Sequence, residues 1–258
     1  MSLMRRRLAC GLAVGLAACT TVSPQLRDRA ETHRQVAEMR LGRGEVEQAM
    51  REYKTSIELY AEDSEAHFGL SEAYRRKGAL VLAEQHLLET LRLDPENVDA
   101  RLNLGVVYLQ MERWEDAIRV DSLLIQDPLF FRPARALVNR GWAHYKSGNT
   151  ALAEKDYREA LERGGASLYA RMNLGILYYG RGETVEAVRE FEHVLGMLQD
   201  RPPGLFGASE AEARFRLAQA YVKLGQHSAA IEHLERAERR GAEGKWGRMS
   251  REYLEVLR

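Results

Sequence analysis

The chain has 258 residues, 45% of them hydrophobic and 29% charged, and its 38 basic and 38 acidic side chains cancel. That length holds one large domain or an extended array of small units, with a substantial buried core in either case. Zero formal charge, with no basic run longer than the three residues of Arg5, Arg6 and Arg7, excludes the electrostatic footprint of a nucleic-acid binder.

Those three arginines precede an apolar run from Leu8 to Ala18, the layout of a secretory signal. The run is about half of the ~20 residues a membrane-spanning helix needs, so a retained anchor is the weaker reading. It ends in Leu16-Ala17-Ala18-Cys19, which resembles the lipobox of bacterial lipoproteins, where the peptide is cut before the cysteine and the thiol carries the lipid. The resemblance implies a signal peptide over residues 1–18 and a lipid on Cys19. With Thr20 in place of an aspartate, it also implies a periplasm-facing location at the outer membrane. An ordinary signal with a chance cysteine is the alternative. The mature chain keeps 35 basic and 38 acidic side chains and Cys19 alone, so it can form no internal disulfide. Residues 19–29 read as a tether whose part from Thr20 to Arg29 reaches at most ~35 Å when extended. Two or more acyl chains, at ~0.8 kcal/mol per buried methylene, hold such a protein at a bilayer without a spanning segment.

From Ala30 the chain repeats itself. Small residues recur at Ala37, Ser71, Gly105, Gly141, Gly175 and Ala218, at intervals of 34, 34, 36, 34 and 43 residues. Twelve positions after each stands an alanine: Ala49, Ala83, Ala117, Ala153, Ala187 and Ala230. Between them lies a turn glycine (Gly44, Gly78, Gly148, Gly182, Gly225), replaced in the third unit by Glu112. Four residues beyond each alanine comes Tyr53, Leu87, Asp121, Tyr157, Phe191 or Leu234. Small residues let two helices approach closely, the large one fills the gap to the next unit, and glycine closes the first helix in a left-handed turn.

This pattern resembles six tetratricopeptide repeats over residues 30–243, with first helices starting near 30, 64, 98, 134, 168 and 211. The expected fold is all-α: a right-handed superhelical solenoid whose units stack on one another because none buries its apolar stripe alone. Residues 244–258 read as a C-terminal capping helix, with Trp246, Tyr253, Leu254 and Leu257 turned inward. Asp121 conflicts with the pattern, since an apolar residue belongs at its place. The second helix of that unit is one residue short, so a slip in register that puts Val120 in the core is the expectation there.

In such a solenoid the second, fifth, sixth, ninth and twelfth positions of each first helix look into a concave groove. They hold Phe68 in the second unit and Leu102, Val106 and Leu109 in the third. The fourth unit supplies Val138, Trp142 and Tyr145; the fifth supplies Tyr169, Met172, Ile176 and Tyr179; the sixth supplies Phe215. An apolar surface of that extent marks a binding site for another polypeptide. Asn103, Asn139 and Asn173 align at the sixth position. They read either as amide rungs for a bound peptide backbone or as the ordinary Asn-Leu-Gly of these repeats. The lysine and asparagine pair that some tetratricopeptide domains use to clamp carboxylates is absent, because Leu102 and Val106, and Val138 and Trp142, stand there. The groove therefore suits an amphipathic or hydrophobic segment.

Between the third and fourth units the rhythm breaks at Asp127-Pro128-Leu129-Phe130-Phe131-Arg132-Pro133, where two extra residues lengthen the turn and the phenylalanines either plug a seam or stand exposed. Together with Asn139-Arg140-Gly141-Trp142-Ala143, this loop resembles that of the tetratricopeptide pilotins, the lipoproteins of type IV pilus biogenesis. The resemblance implies a protein that binds secretin subunits and promotes their outer-membrane insertion and multimerisation. Two departures stand out: Arg140 sits where an apolar residue is usual, and nine extra residues surround Arg201-Pro202-Pro203-Gly204. A lipoprotein adaptor that recruits a periplasmic protease or cell-wall enzyme is the alternative.

Reactive constellations are missing from the sequence. The seven histidines are scattered, with no His-Glu-x-x-His, no nucleophile elbow and no cysteine partners for a metal. Gly241-Ala242-Glu243-Gly244-Lys245 lacks the spacing and the Ser/Thr of a phosphate loop. The expectation is a non-enzymatic scaffold with no cofactor, no metal and no small-molecule substrate.

Overall fold

The computed structural model describes residues 22–128, 130–164, 167–199, 201, 203–241 and 243–257. The expected signal peptide and Cys19 lie outside the described residues. Thirteen helices, and no strand, occur among those that are described. The first four units pair α1 (Pro24–Gly42) with α2 (Val46–Leu59), α3 (Ser64–Arg76) with α4 (Leu80–Leu93), α5 (Val98–Gln110) with α6 (Trp114–Gln126), and α7 (Pro133–Lys146) with α8 (Thr150–Arg163). The last two pair α9 (Ser167–Arg181) with α10 (Thr184–Leu198) and α11 (Pro203–Lys223) with α12 (His227–Arg240), and α13 (Lys245–Leu257) closes the stack. The array is the right-handed solenoid that the repeat pattern dictates.

Two boundaries differ from the sequence reading. Helix α1 begins at Pro24, so residues 24–29 of the expected tether are already helical. Ser23 caps that helix by accepting a hydrogen bond from the Leu26 amide, and Pro24 at the first turn gives up no bond. Helix α11 begins at Pro203, so part of the nine-residue excess extends a 21-residue helix.

Each pair turns by the same device. The last carbonyls of the first helix accept from a residue five positions on: Arg40 from Glu45, Tyr74 from Ala79, Tyr108 from Arg113, His144 from Asn149, Tyr178 from Glu183, and Tyr221 from Gln226, all at 2.8–2.9 Å, the later residue donating its N–H. This bond needs a left-handed residue just before the donor. Glycine supplies it in five units, with φ of 74–88°, and Glu112 is forced to φ 58° in the third. A non-glycine residue in that conformation costs about 1–2 kcal/mol.

The close approach of the helices follows the small residues. A Cβ on Gly141 would come within 2.6 Å of the Tyr157 ring, and one on Gly175 within 2.5 Å of the Phe191 ring. The large residue of the second helix thus covers the small residue of its own unit. Tyr53 in addition fills the space that a Cβ on Gly69, in the next unit, would need. The expected slip of α6 does not occur. Asp121 is fully buried in the aromatic's place, its carboxylate 2.9 Å from where a Gly105 Cβ would stand, and Val120 is buried beside it. The cap packs as the apolar face of α13 dictates, with Trp246 and Tyr253 5.4 and 6.1 Å from Phe215 between ring centroids and Leu254 buried.

Candidate protein-docking surface

Successive first helices touch one another, α1 with α3, α5 with α7, α7 with α9 and α9 with α11. They form the inner wall of the curved stack, but not every position assigned to that wall is open. The fifth position is taken up in the seam between units. Leu102 packs with Leu124, Phe130 and Ala136; Val138 packs with Ala134 and Ala170; Met172 joins the core of the fifth unit; and Phe215 lies under the cap. All four are at most 9% exposed, which corrects their assignment to the groove surface. The reason is geometric: the fifth position points along the stack, where the next first helix arrives. Phe68, the fifth position of the second unit, is only partly buried.

The asparagines at the sixth position are partly buried and face the preceding unit's second helix. Asn139 is turned toward Asp121 and Asn173 toward Tyr157, near enough to lower the proton affinity of each but outside hydrogen-bond geometry. They stand where Gly69 makes room for Tyr53 in the second unit, so Asn139 and Asn173 serve the seam first. Asn103 occupies the same place and is likewise partly buried.

The ninth and twelfth positions stay partly exposed: Val106 and Leu109, Trp142 and Tyr145, Ile176 and Tyr179. Trp142 and Tyr145 lie 5.5 Å apart between ring centroids, inclined at 38°. Lys146 sets its ammonium 5.9 Å from the Trp142 ring, and Lys223 sets its own 4.9 Å from the Tyr179 ring. Cations over π faces hold the rings in place and put positive charge at the edge of an apolar wall. Tyr169, 64% exposed, lies at the second position. Sequence reasoning missed both lysines, because they fall outside the five inward positions and reach the wall only through their long stems.

Beneath the wall, between the third and fourth units, lies a buried polar cluster. Arg140 clasps Asp156 with two bonds of 2.6 and 2.9 Å, reaches Ser122 at 3.2 Å, and is joined by His144, 3.9 Å from Asp156. The pairing with a buried Asp156 accounts for an arginine where an apolar residue is usual, and keeps Arg140 charged. Burial pushes the Asp121 carboxyl well above the usual carboxylate range, and the pull of Asn139 and Arg140 does not offset it. Neither of its oxygens has a hydrogen-bond partner among the described residues. The interrupted turn covers this seam: Phe130 is buried against Leu102, Leu124 and Ala136, whereas Phe131 is 81% exposed, with the Arg132 guanidinium 5.0 Å from its ring and Arg132 paired to Asp99.

Among the described residues no helix is long and apolar enough to cross a membrane, and no group of three or more acidic, histidine or cysteine side chains is arranged to hold a metal.

Comparisons agree with this geometry. Models of the tetratricopeptide repeat match residues 37–97, 78–128, 134–164 and 166–241. The chain is 24% identical over 197 residues to the type IV pilus assembly protein PilF of Pseudomonas aeruginosa, covering 73% of this chain and 78% of that one. The solved structure of Pseudomonas aeruginosa PilF superposes with a TM-score of 0.66 at 17% identity, over 89% of this chain and 99% of that one. PilW, described as a widely conserved type IV pilus biogenesis factor, superposes with a TM-score of 0.72 at 16% identity, over 85% and 97%. With six stacked helix pairs, the left-handed turn in every unit and repeat models matching along most of its length, the chain belongs to the tetratricopeptide repeat proteins.

Proposed function

We propose that the protein is a non-enzymatic scaffold of type IV pilus biogenesis, anchored by a lipid on Cys19 to the periplasmic face of the outer membrane, that holds secretin subunits while they insert and multimerise. The observation that carries this reading is the aromatic wall of Trp142, Tyr145 and Tyr179, edged by Lys146 and Lys223, in a chain similar along most of its length to a pilus assembly protein. Such a wall takes the apolar face of a helix or strand, while the two ammonium groups favour acidic residues at its margin. Phe68, Val106 and Ile176 extend the same surface, and Asn103, Asn139 and Asn173, partly buried, lie on the same helices. Confinement by the lipid raises the local concentration of binder and subunit, so a modest affinity suffices.

The test is genetic. Deleting the gene is expected to remove detergent-resistant secretin multimers from a blot, and the wild-type gene to restore them. Trp142→Ala combined with Tyr179→Ala is expected to leave helix content intact and fail to restore multimers. Cys19→Ser is expected to fold and to leave the membrane fraction. Normal multimers in the deletion strain would remove the pilus reading and favour an adaptor for a protease or cell-wall enzyme.

A further inference from the structure

Beside the extra residues between the fifth and sixth units, a cleft lies between α10, α11 and α12. This cleft has a volume of about 900 Å³ and an apolar floor of Leu195 and Leu198, and it adjoins a second hollow of about 460 Å³. Arginines surround it: Arg201, Arg214, Arg236 and Arg240 line the larger space, and Arg239 joins the smaller. Among the described residues, Glu192 and Glu210 are the carboxylates that line it.

Charge within the cleft is arranged rather than scattered. Glu210, nearly buried, is shared by two guanidinium groups, Arg214 at 2.9 Å and Arg240 at 3.2 Å. Arg214 also points a nitrogen at His233 Nδ1, 3.5 Å away, and His233 stacks on Tyr221. Burial, with Arg214 beside it, pushes His233 toward the neutral imidazole, which accepts rather than repels. Glu192 is engaged by the Tyr221 hydroxyl at 2.8 Å, and Arg236 pairs with Glu232 outside the cleft at 2.6 Å. The C-terminal carbonyls of α10 offset about half a charge more. Among the described residues that line the two hollows, five arginines stand against two carboxylates, a positive surplus.

We propose that this cleft binds a phosphate group carried on a larger molecule. Guanidinium forks match the oxygens of a phosphate bidentately and shed water more readily than ammonium groups. A single carboxylate is already present as Glu210 and leaves the surplus unmatched, whereas a phosphate adds up to two charges and three acceptors. The volume and the leucine floor exceed what a bare phosphate fills, so the carrier has an apolar or sugar-sized part. Its source is either the headgroup of an anionic lipid or a soluble phosphorylated compound.

The experiment uses the full chain carrying Cys19→Ser, so that no acyl chain contributes. Pyrophosphate is titrated calorimetrically, and retention is measured on phosphatidylglycerol vesicles against phosphatidylcholine vesicles. Binding of either probe is expected, the vesicle arm pointing to a lipid and the pyrophosphate arm to a soluble source. Arg236→Gln with Arg240→Gln is expected to weaken that binding at least tenfold, while Arg158→Gln with Arg163→Gln on α8 removes the same charge without effect. Arg236→Lys with Arg240→Lys keeps charge and fold but loses the fork, and is expected to lose affinity as well. Binding of neither probe, equal loss in the α8 control, full affinity in the lysine pair, or tighter binding of polyglutamate than of both probes overturns the proposal.

Discussion

The seam between the first and second units and the seam between the third and fourth are built from the same positions with opposite chemistry. In the first, Tyr53 fills the space left by Gly69 and the contact is apolar. In the second, Asp121 takes the tyrosine's place, Asn139 takes the glycine's, and Arg140, Asp156 and His144 lie alongside. The smaller carboxyl fills less volume, and Phe130 from the lengthened turn packs close by against Leu102 and Leu124. One seam thus trades apolar contact for a buried polar network, with Phe130 of the lengthened turn adding apolar contact in the same seam.

The largest effect expected from breaking this contrast is at Tyr53→Ala, which empties a fully buried aromatic site and should lower unfolding free energy by about 3–5 kcal/mol. In the polar seam, Arg140→Leu leaves Asp156 buried without its partner, and a loss of about 3–5 kcal/mol is expected from chemical denaturation, somewhat less than at Tyr53 if water enters beside Ser122. Asp121→Leu should go the other way, because it removes an unpartnered buried carboxyl and puts back the residue type of Leu87 and Leu234. A gain of about 1–3 kcal/mol at neutral pH is expected, and a loss there would show that the carboxyl is satisfied after all.

Two titratable sites, Asp121 in the polar seam and His86 on α4 within the second unit, differ in pH dependence. Asp121 has its proton affinity raised in the folded chain, so the folded state holds more protons than the unfolded one once pH exceeds about 4. Stability contributed by this site therefore falls as pH rises from there toward the raised value, and Asp121→Asn should flatten that slope. His86 behaves oppositely. Burial, His67 and Lys54 depress it to about 4, so its contribution is present above the unfolded value of about 6.5 and is lost as pH falls toward 4. Thermal melts of His86→Gln between those limits should lose that slope. The smallest expected effect is at the turn of the third unit, where Glu112→Gly relieves a left-handed glutamate and should raise stability by about 1 kcal/mol, whereas Gly78→Glu in the second should lower it by a similar amount.

Much of the fold was readable because spacing alone carries it. Small residues at a fixed interval, an alanine twelve positions later and a turn glycine between them admit only a tight helix pair, and even the exception at Glu112 keeps the left-handed turn. The candidate surface was readable only in part. Val106, Trp142, Tyr145, Ile176 and Tyr179 keep an open edge, but Leu102, Val138 and Met172, one turn earlier on the same face, are covered by the neighbouring unit. Helical periodicity gives a direction around one axis. It does not say how near the next helix comes.

The sequence by itself determined the helices, their pairing, the turns and the order of the stack, since each depends on contacts within about 40 residues of chain and on backbone conformations that few residue types adopt. The tertiary structure alone decided which inward residues stay partly exposed, that Asp121 holds its register while Phe130 packs into the same seam, and that Arg201 and the arginines of α11 and α12 gather around one cleft. Those outcomes rest on the distance and angle between neighbouring units, which are set by the summed volumes of side chains on both sides of a seam, a quantity no single repeat encodes.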